Sequence, residues 1–190
     1  MSCSTAETSR ALIATSVLEF LLIEAVPLSQ RLSDESTQEV HSEGTEEDPT
    51  LQGQTAVQYR LETMGQRIGA GLATSLTRDH PRFTDSLDVI KFICKDLWVA
   101  AFRKQVDNLK TNHRGVFVLS DLTFWTLRRM SLGKNDETEL LLRAQPYLWL
   151  PCGIIQGALE ALGVRATVLA ESVSLPTVTF QIKTTTGLQI

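Results

Sequence analysis

The chain has 190 residues, of which 43% are hydrophobic and 21% are charged, and its formal net charge at pH 7 is −4. This length and composition are typical of one globular domain with a buried core, so we treat 1–190 as a single domain. A weakly acidic chain lacks the basic face that nucleic-acid binding requires, and we therefore expect no nucleic-acid partner.

The first predicted element is a helix over 8–26, which we expect to end at Pro27. Its apolar stretch, "ALIATSVLEFLLIEAV", is interrupted by Glu19 and Glu24 and preceded by Arg10 as its only positive charge, which argues against a signal peptide. Sixteen residues with two carboxylates are also too short and too polar for a bilayer span. Apolar residues cover most of the helix circumference. This pattern indicates that the helix packs against its own domain on one side and against something else on the other.

An acidic, polar stretch follows the first helix. Residues 33–50, "SDESTQEVHSEGTEEDPT", hold seven acidic residues and no Lys or Arg. A segment with so few apolar residues cannot offset the entropy lost on ordering. We predict a disordered insert over 28–54, and we interpret it as a solvated linker, with a regulatory acidic tract as the alternative.

A second helix is predicted over 55–77, and its glycines raise the question of a phosphate-binding loop. The stretch "LETMGQRIGAGLATSL" contains Gly65, Gly69 and Gly71, but Leu72 and Ala73 stand where a P-loop has Lys and Ser or Thr. Glycine inside a helix costs about 1 kcal/mol relative to alanine. That cost is explained if another helix approaches closely, so the pattern indicates a packing surface.

The two amino-terminal helices together predict a dimer interface. Each has more apolar surface than one domain can cover, so we expect the surplus to bind a partner over an area on the order of 1,600 Å². The residues assigned to this interface are Val17, Phe20, Leu21, Leu61, Met64, Gly65, Ile68, Gly69 and Leu72.

The remaining chain predicts two helices and four strands. A third helix starts with Thr84 as its cap and runs to 109, a hairpin pairs 116–119 with 123–129, and a fourth helix starts with Pro151 and ends before Gly163. Strands over 165–173 and 177–183 complete the order αααββαββ. Short turns between strands predict an antiparallel sheet, so the fold class is α+β, with four helices on one face of a four-stranded antiparallel sheet.

No catalytic, metal or cofactor site can be assembled from the sequence. Cys152 follows a proline at a predicted helix start, but no His or acid lies near it, and a buried structural thiol is the better interpretation. Cys94 lies on an apolar helix stripe, and His113 fits a turn. Asp96 and Asp107 fit a solvated, salt-bridged helix. The three cysteines form no C-x-x-C and the three histidines no ligand spacing, which favours free thiols in a reducing compartment.

Three stretches resemble a known family. The motifs "LETMGQRIGAGL", "LDVIKFICKDLWVAAFRKQVDNLKTNHRGVFVL" and "CGIIQGALEALGVRATVLAESVSLPTVTFQI" are similar to the subunit-six type of the transport protein particle (TRAPP) small subunits. The resemblance covers about 57–182. It implies an α+β subunit that pairs, through its first two helices, with a related subunit that carries an acyl chain.

The resemblance also implies a cellular role. Such a pair would join other TRAPP core subunits as a non-catalytic scaffold that helps to build a guanine-nucleotide exchange factor for a Rab GTPase. The location would be cytoplasmic and peripheral on endoplasmic reticulum and Golgi membranes, with membrane contact only through the complex. The alternative is a lipid- or small-ligand-binding domain of the related fold.

One position departs from the acylated relatives. They carry the acylated cysteine just before the third helix, whereas the corresponding place here is near His80, in "RDHPRF". We therefore expect no acyl group on this chain. The insert between the first two helices is also longer than the family linker.

Overall fold

The computed structural model describes residues 15–40, 49–112, 114–128, 130 and 137–185. Its helices are α1 (Thr15–Val40), α2 (Pro49–Leu76), α3 (Ser86–Phe92), α4 (Trp98–Phe102), α5 (Glu137–Ala144) and α6 (Pro146–Ala161). A π-helical segment, Ile93–Leu97, joins α3 to α4, and we call this continuous unit the third helix. The strands are β1 (Asn108–Thr111), β2 (Val116–Asp121), β3 (Ala166–Ser174) and β4 (Thr177–Thr184).

The four strands form one antiparallel sheet in the order β1-β2-β4-β3. Burial alternates along β2 and β4, so that Leu119 pairs with Phe180 on the buried face. The helices cover that face. The α+β class and the four-stranded antiparallel sheet are confirmed. The predicted order αααββαββ, with four helices, is not confirmed. When the third helix counts as one, the described residues hold five helices, and α5 is the additional one.

The first helix does not end at Pro27, which lies inside α1. An interior proline removes one helical hydrogen bond, but the residues beyond it pack against α2. Ser29 and Ser33 are buried; Arg60 Nη1 donates to the Ser29 carbonyl at 2.8 Å, and Ser33 Oγ donates to the Gly53 carbonyl at 3.1 Å. The expectation of disorder over 28–54 is therefore corrected for 28–40 and 49–54, which are helical, while 41–48 lie outside the described residues.

The third helix is shorter than predicted and has a different cap. Asp85, not Thr84, is its cap, and the Asp85 side chain accepts a hydrogen bond from the Asp88 amide at 2.7 Å. The helix stops at Phe102, and Arg103 adopts a left-handed conformation with φ 63°. Because the chain then turns into β1, the predicted helical end at 109 is wrong.

The predicted hairpin between 116–119 and 123–129 is also wrong. The observed hairpin pairs β1 with β2 around 112–115, and no described residue of 123–128 belongs to a strand. Phe124 is fully buried, with its ring 5.1 Å from Phe102 and 5.7 Å from Phe180 between centroids. The aromatic residues of this segment predict a strand, but Phe124 instead packs into the hydrophobic core.

The last helix and hairpin agree better with the sequence. β3 and β4 lie where the sequence predicts them. Gly163 follows α6 with φ +80°, a conformation that favours glycine. However, α6 begins at Pro146, and Pro151 lies inside it and not at its first position.

Helices α2 and α6 cross where their glycines face each other. A Cβ atom at Gly65 or Gly69 would overlap the carbonyl oxygens of Leu150 and Ile154. In the same way, a Cβ atom at Gly153 or Gly157 would overlap backbone carbonyls of α2. The predicted close approach of another helix is thus present, and it occurs within the chain.

Candidate protein-interaction surface

Helix α1 presents two apolar faces, as its composition suggests. The inward face includes Leu22, Ala25 and Val26, which contact the core or the smaller cluster around Leu61. The outward face is a row in which successive members lie three, four or seven residues apart, with Phe20 and Leu21 side by side, and this spacing places them on one side of the helix. This row consists of Val17, Phe20, Leu21, Leu28 and Leu32, all of them exposed.

Large exposed side chains define this outward face. Phe20 is 69% exposed, Leu21 63% and Val17 56%. Glu24 lies in the same row, and its carboxylate pairs with Arg31 at 2.5 Å, so the charge inside the apolar row is compensated. Exposed rows of this size mark protein interaction sites more often than solvated surface.

Helix α2 adds a shallow groove beside Ile68. Met64 and Ile68 are each 41% exposed, and Tyr59 and Arg67 line the groove with them. Tyrosine and arginine beside aliphatic residues are the composition that interaction hot spots favour. We name the α1 row together with Tyr59, Met64 and Ile68 the α1–α2 surface.

The structure divides the predicted interface residues into three groups. Val17, Phe20, Leu21, Met64 and Ile68 are exposed and belong to the α1–α2 surface. Leu72 is half-buried against the core. The remaining three are corrected, because they are buried inside the chain and cannot contact a partner. These are Leu61, Gly65 and Gly69.

Sequence reasoning missed three residues of the surface. The predicted helix end at Pro27 assigns Leu28 and Leu32 to the insert and not to the helix. Their spacing continues the row of Phe20, Leu21 and Glu24, and that periodicity was the available signal. Tyr59 had no comparable signal, since it lies away from the apolar stripe of α2.

The thiols of Cys94 and Cys152 lie in the interior. Burial raises the pKa of both Cys94 and Cys152 to about 12, so each remains protonated at neutral pH and is a poor nucleophile. Cys94 fits the predicted core position, and Cys152 the predicted structural thiol. Within the part of the chain that the structure describes, no group of three His, Cys, Asp or Glu side chains could hold a metal ion.

Three further residues considered in the sequence analysis are His113, His80 and Asp107. His113 lies outside the described residues. His80 stacks on Phe83 with ring centroids 4.6 Å apart. Asp107 pairs with Lys104 at 2.6 Å, but this pair lies in the connection to β1 and not on a helix.

Comparison with known proteins identifies the family. Residues 18–185 match the sequence profile described as "Transport protein particle (TRAPP) component". The chain belongs to this TRAPP family. It is 48% identical over 123 residues to trafficking protein particle complex subunit 6B of Bos taurus, which covers 65% of this chain and 75% of that protein. It is 43% identical over 135 residues to subunit 6A of Homo sapiens, covering 71% of this chain and 82% of the relative.

These relatives identify the chain as a TRAPP small subunit of the subunit-six type. A solved structure supports the fold: a trafficking protein particle complex subunit 3 from Naegleria fowleri, covalently bound to palmitic acid, aligns with a TM-score of 0.58. That alignment covers 88% of this TRAPP chain and 99% of the other at 15% identity. No helix among the described residues is long and apolar enough to span a bilayer.

Proposed function

We propose that the chain is a non-catalytic scaffold subunit of the TRAPP complex that pairs with a related, acylated subunit through the α1–α2 surface. The observation that carries this proposal is the exposed row on α1, with Phe20 and Leu21 both more than 60% exposed. The described residues leave this row uncovered, while the opposite face of the same helix packs against the core of the domain. A helix with two apolar faces requires a second body.

The type of partner follows from the family. TRAPP subunits work in an assembly, and a solved structure that shares the fold is a subunit 3 covalently bound to palmitic acid. A subunit of that type has related helices, so it can present a matching apolar surface to this one. The sequence offers no cysteine at the position of His80, and the acyl chain would therefore be carried by the partner alone.

The pair would act within a larger complex. As part of the TRAPP core, it would help to form the exchange factor for a Rab GTPase, on endoplasmic reticulum and Golgi membranes. In this proposal the chain supplies contacts and not exchange chemistry. The buried and protonated thiols of Cys94 and Cys152 support a scaffold role.

Co-purification with a related subunit-three-type protein tests the proposal. We expect the wild-type chain to elute as a heterodimer in size-exclusion chromatography with light scattering. Phe20→Asp should abolish the heterodimer, because pairing would bury an unpaired charge at a penalty of several kcal/mol. Leu142→Asp is the matched control, since Leu142 is also exposed on a helix but lies on α5.

The control should pair like wild type, and both variants should keep the wild-type circular dichroism spectrum. A wild-type chain that does not bind the related subunit would contradict the proposal. Equal binding by Phe20→Asp and wild type would also contradict it.

A further inference from the structure

Strand β3 forms an open edge of the sheet. Among the described residues it pairs with β4 alone, whereas α1 packs against α2 and α6, so this edge is not part of the α1–α2 surface. The ladder between β3 and β4 is regular over 166–171 and irregular between Glu171 and Ser174. The regular part therefore presents a row of strand backbone on the side away from β4.

The direction of the backbone groups in β3 follows from its hydrogen bonding. The Thr185 amide donates to the Arg165 carbonyl at 3.0 Å, so the backbone of Arg165 points towards β4. Backbone groups alternate in direction along an antiparallel strand, so the amides and carbonyls of every second residue point to the open side. These residues are Ala166, Val168 and Ala170. On that side, no hydrogen bond joins them to another described residue.

The composition of β3 does not protect this edge. Sheets usually guard a long edge strand with lysine or proline, and β3 contains neither. The outer face of the strand carries Leu169, which is 49% exposed. Arg165 and Glu171 are exposed on the same face, and none of the ion pairs among the described residues involves either of them. The spacing of the free backbone donors and acceptors is that of another extended strand.

A second copy of β3 complements the first in one antiparallel register. When Val168 lies opposite Val168 of the second copy, the outward backbone groups meet, and each facing pair can exchange both of its N–H···O bonds. In this register Arg165 of each copy lies opposite Glu171 of the other. These two contacts are non-hydrogen-bonded pairs, in which the side chains lie closest together. The two Leu169 side chains become diagonal neighbours on the same face.

We propose that two copies of this chain associate through β3, antiparallel about Val168, and so join their sheets into one. The occupant is a second copy because the edge complements itself in both backbone direction and charge, and a shift of the register in either direction separates Arg165 from Glu171. Interfaces below about 1,200 Å² are weak or transient, and one strand edge is small, so we expect a Kd on the order of 100 µM. The contact leaves the α1–α2 surface free for a different partner.

Charge reversal tests this register. All variants are full-length chains that also carry Phe20→Asp, chosen to remove association through the α1–α2 surface. Sedimentation equilibrium up to about 500 µM should show a monomer–dimer equilibrium for Phe20→Asp alone. Adding Arg165→Glu or Glu171→Arg should each weaken the association about tenfold, because two attractive cross-strand pairs become repulsive.

Mixing the two reversed variants in equal amounts tests the facing pairs themselves. In the mixed dimer both facing positions again carry opposite charges, so association should return to the level of Phe20→Asp alone. Lys95→Glu, at an exposed position of the third helix, makes the same change in net charge as Arg165→Glu and should leave association unchanged. The proposal would be overturned by a monomer at every concentration, by reversed variants that associate as strongly as Phe20→Asp alone, or by a mixture that associates no better than its components.

Discussion

At the scale of single residues, a buried carboxylate organises the connection between the third helix and the sheet. Asp121 is 1% exposed and accepts hydrogen bonds from Trp98 Nε1 at 2.9 Å and from the Thr123 amide at 3.0 Å. Lys104 Nζ pairs with it at 2.7 Å and also with Asp107 at 2.6 Å. One ammonium group thus bridges two carboxylates and joins the chain after α4 to the end of β2.

The pKa shifts in this network show its contribution to stability. The hydrogen bond from Lys104, followed by that from the Leu122 amide, lowers the pKa of Asp107. Burial opposes the charged form of Lys104, but the hydrogen bonds and charges of Asp107 and Asp121 outweigh it and raise its pKa. The stability that ionised Asp107 contributes to the fold is therefore present above the ordinary carboxylate pKa, and it is lost as the pH falls through the lowered pKa. The Lys104 contribution is present below the ordinary lysine pKa and is lost as the pH rises through the raised value.

We predict that Lys104→Met lowers the free energy of unfolding by about 3 kcal/mol at pH 7, because it leaves the buried Asp121 carboxylate without a cation. Lys91→Met is the matched control, since Lys91 pairs with Asp88 on an exposed helix surface, and it should change stability little. Urea denaturation of both variants measures the difference. Equal effects of the two substitutions would show that the Asp121 network does not stabilise the fold.

At the level of secondary-structure elements, the crossing of α2 and α6 brings the two helix backbones into close contact. Gly65 and Gly69 each face a backbone carbonyl of α6, and Gly153 and Gly157 each face a backbone carbonyl of α2. The backbones can approach because four side chains are missing from one contact. Gly71 differs from these residues, since nothing lies within 4 Å of a Cβ atom placed there.

We predict opposite effects for two neighbouring alanine substitutions in α2. Gly69→Ala should destabilise the fold by about 1–3 kcal/mol, because the added methyl group meets the Ile154 backbone and forces the helices apart. Gly71→Ala should stabilise it by about 1 kcal/mol through helix propensity alone. Thermal and urea unfolding of the two variants provide the measurement. Stabilisation by Gly69→Ala would contradict the described crossing.

Some elements could be predicted from the sequence, and the reason others could not is physical. The alternating, β-branched segments of β3 and β4 carry a local signal that burial confirms, and Gly163 marks the end of α6. Proline rules failed at Pro27 and Pro151, because tertiary packing outweighs the loss of one helical hydrogen bond. The short strand β1, "NLKT", has no apolar alternation, and its place depends on pairing with β2.

For the α1–α2 surface, too, the sequence predicts what depends on local periodicity but not what depends on contacts with distant elements. The outward row on α1 follows from helical periodicity, and five residues of the predicted interface are exposed as expected. Periodicity cannot state which apolar face is covered from within the chain. Gly65, Gly69 and Leu61 were therefore assigned to a partner, whereas the distant α6 and the inner face of α1 cover them.

In the whole molecule, the described residues bury the inward side of the helices and leave the outward side of α1 exposed. The sheet and the third helix enclose an aromatic core, and α6 closes over α2. Helix α1 completes this body with its inward face, and among the described residues its outward face is exposed. We propose that a related TRAPP subunit covers this outward face.

Thiol labelling at Leu21 measures whether a partner covers the outward face of α1. Cys94 and Cys152 are buried, so in a Cys3→Ser background a cysteine introduced by Leu21→Cys reports on the α1 surface alone. Leu21→Cys should react rapidly with a maleimide in the free chain and at least tenfold more slowly in the purified pair. Val173→Cys, at an exposed position of β3, should react equally fast in both. An unchanged rate at Leu21→Cys in a stable pair would contradict the account, because the partner would then bind elsewhere.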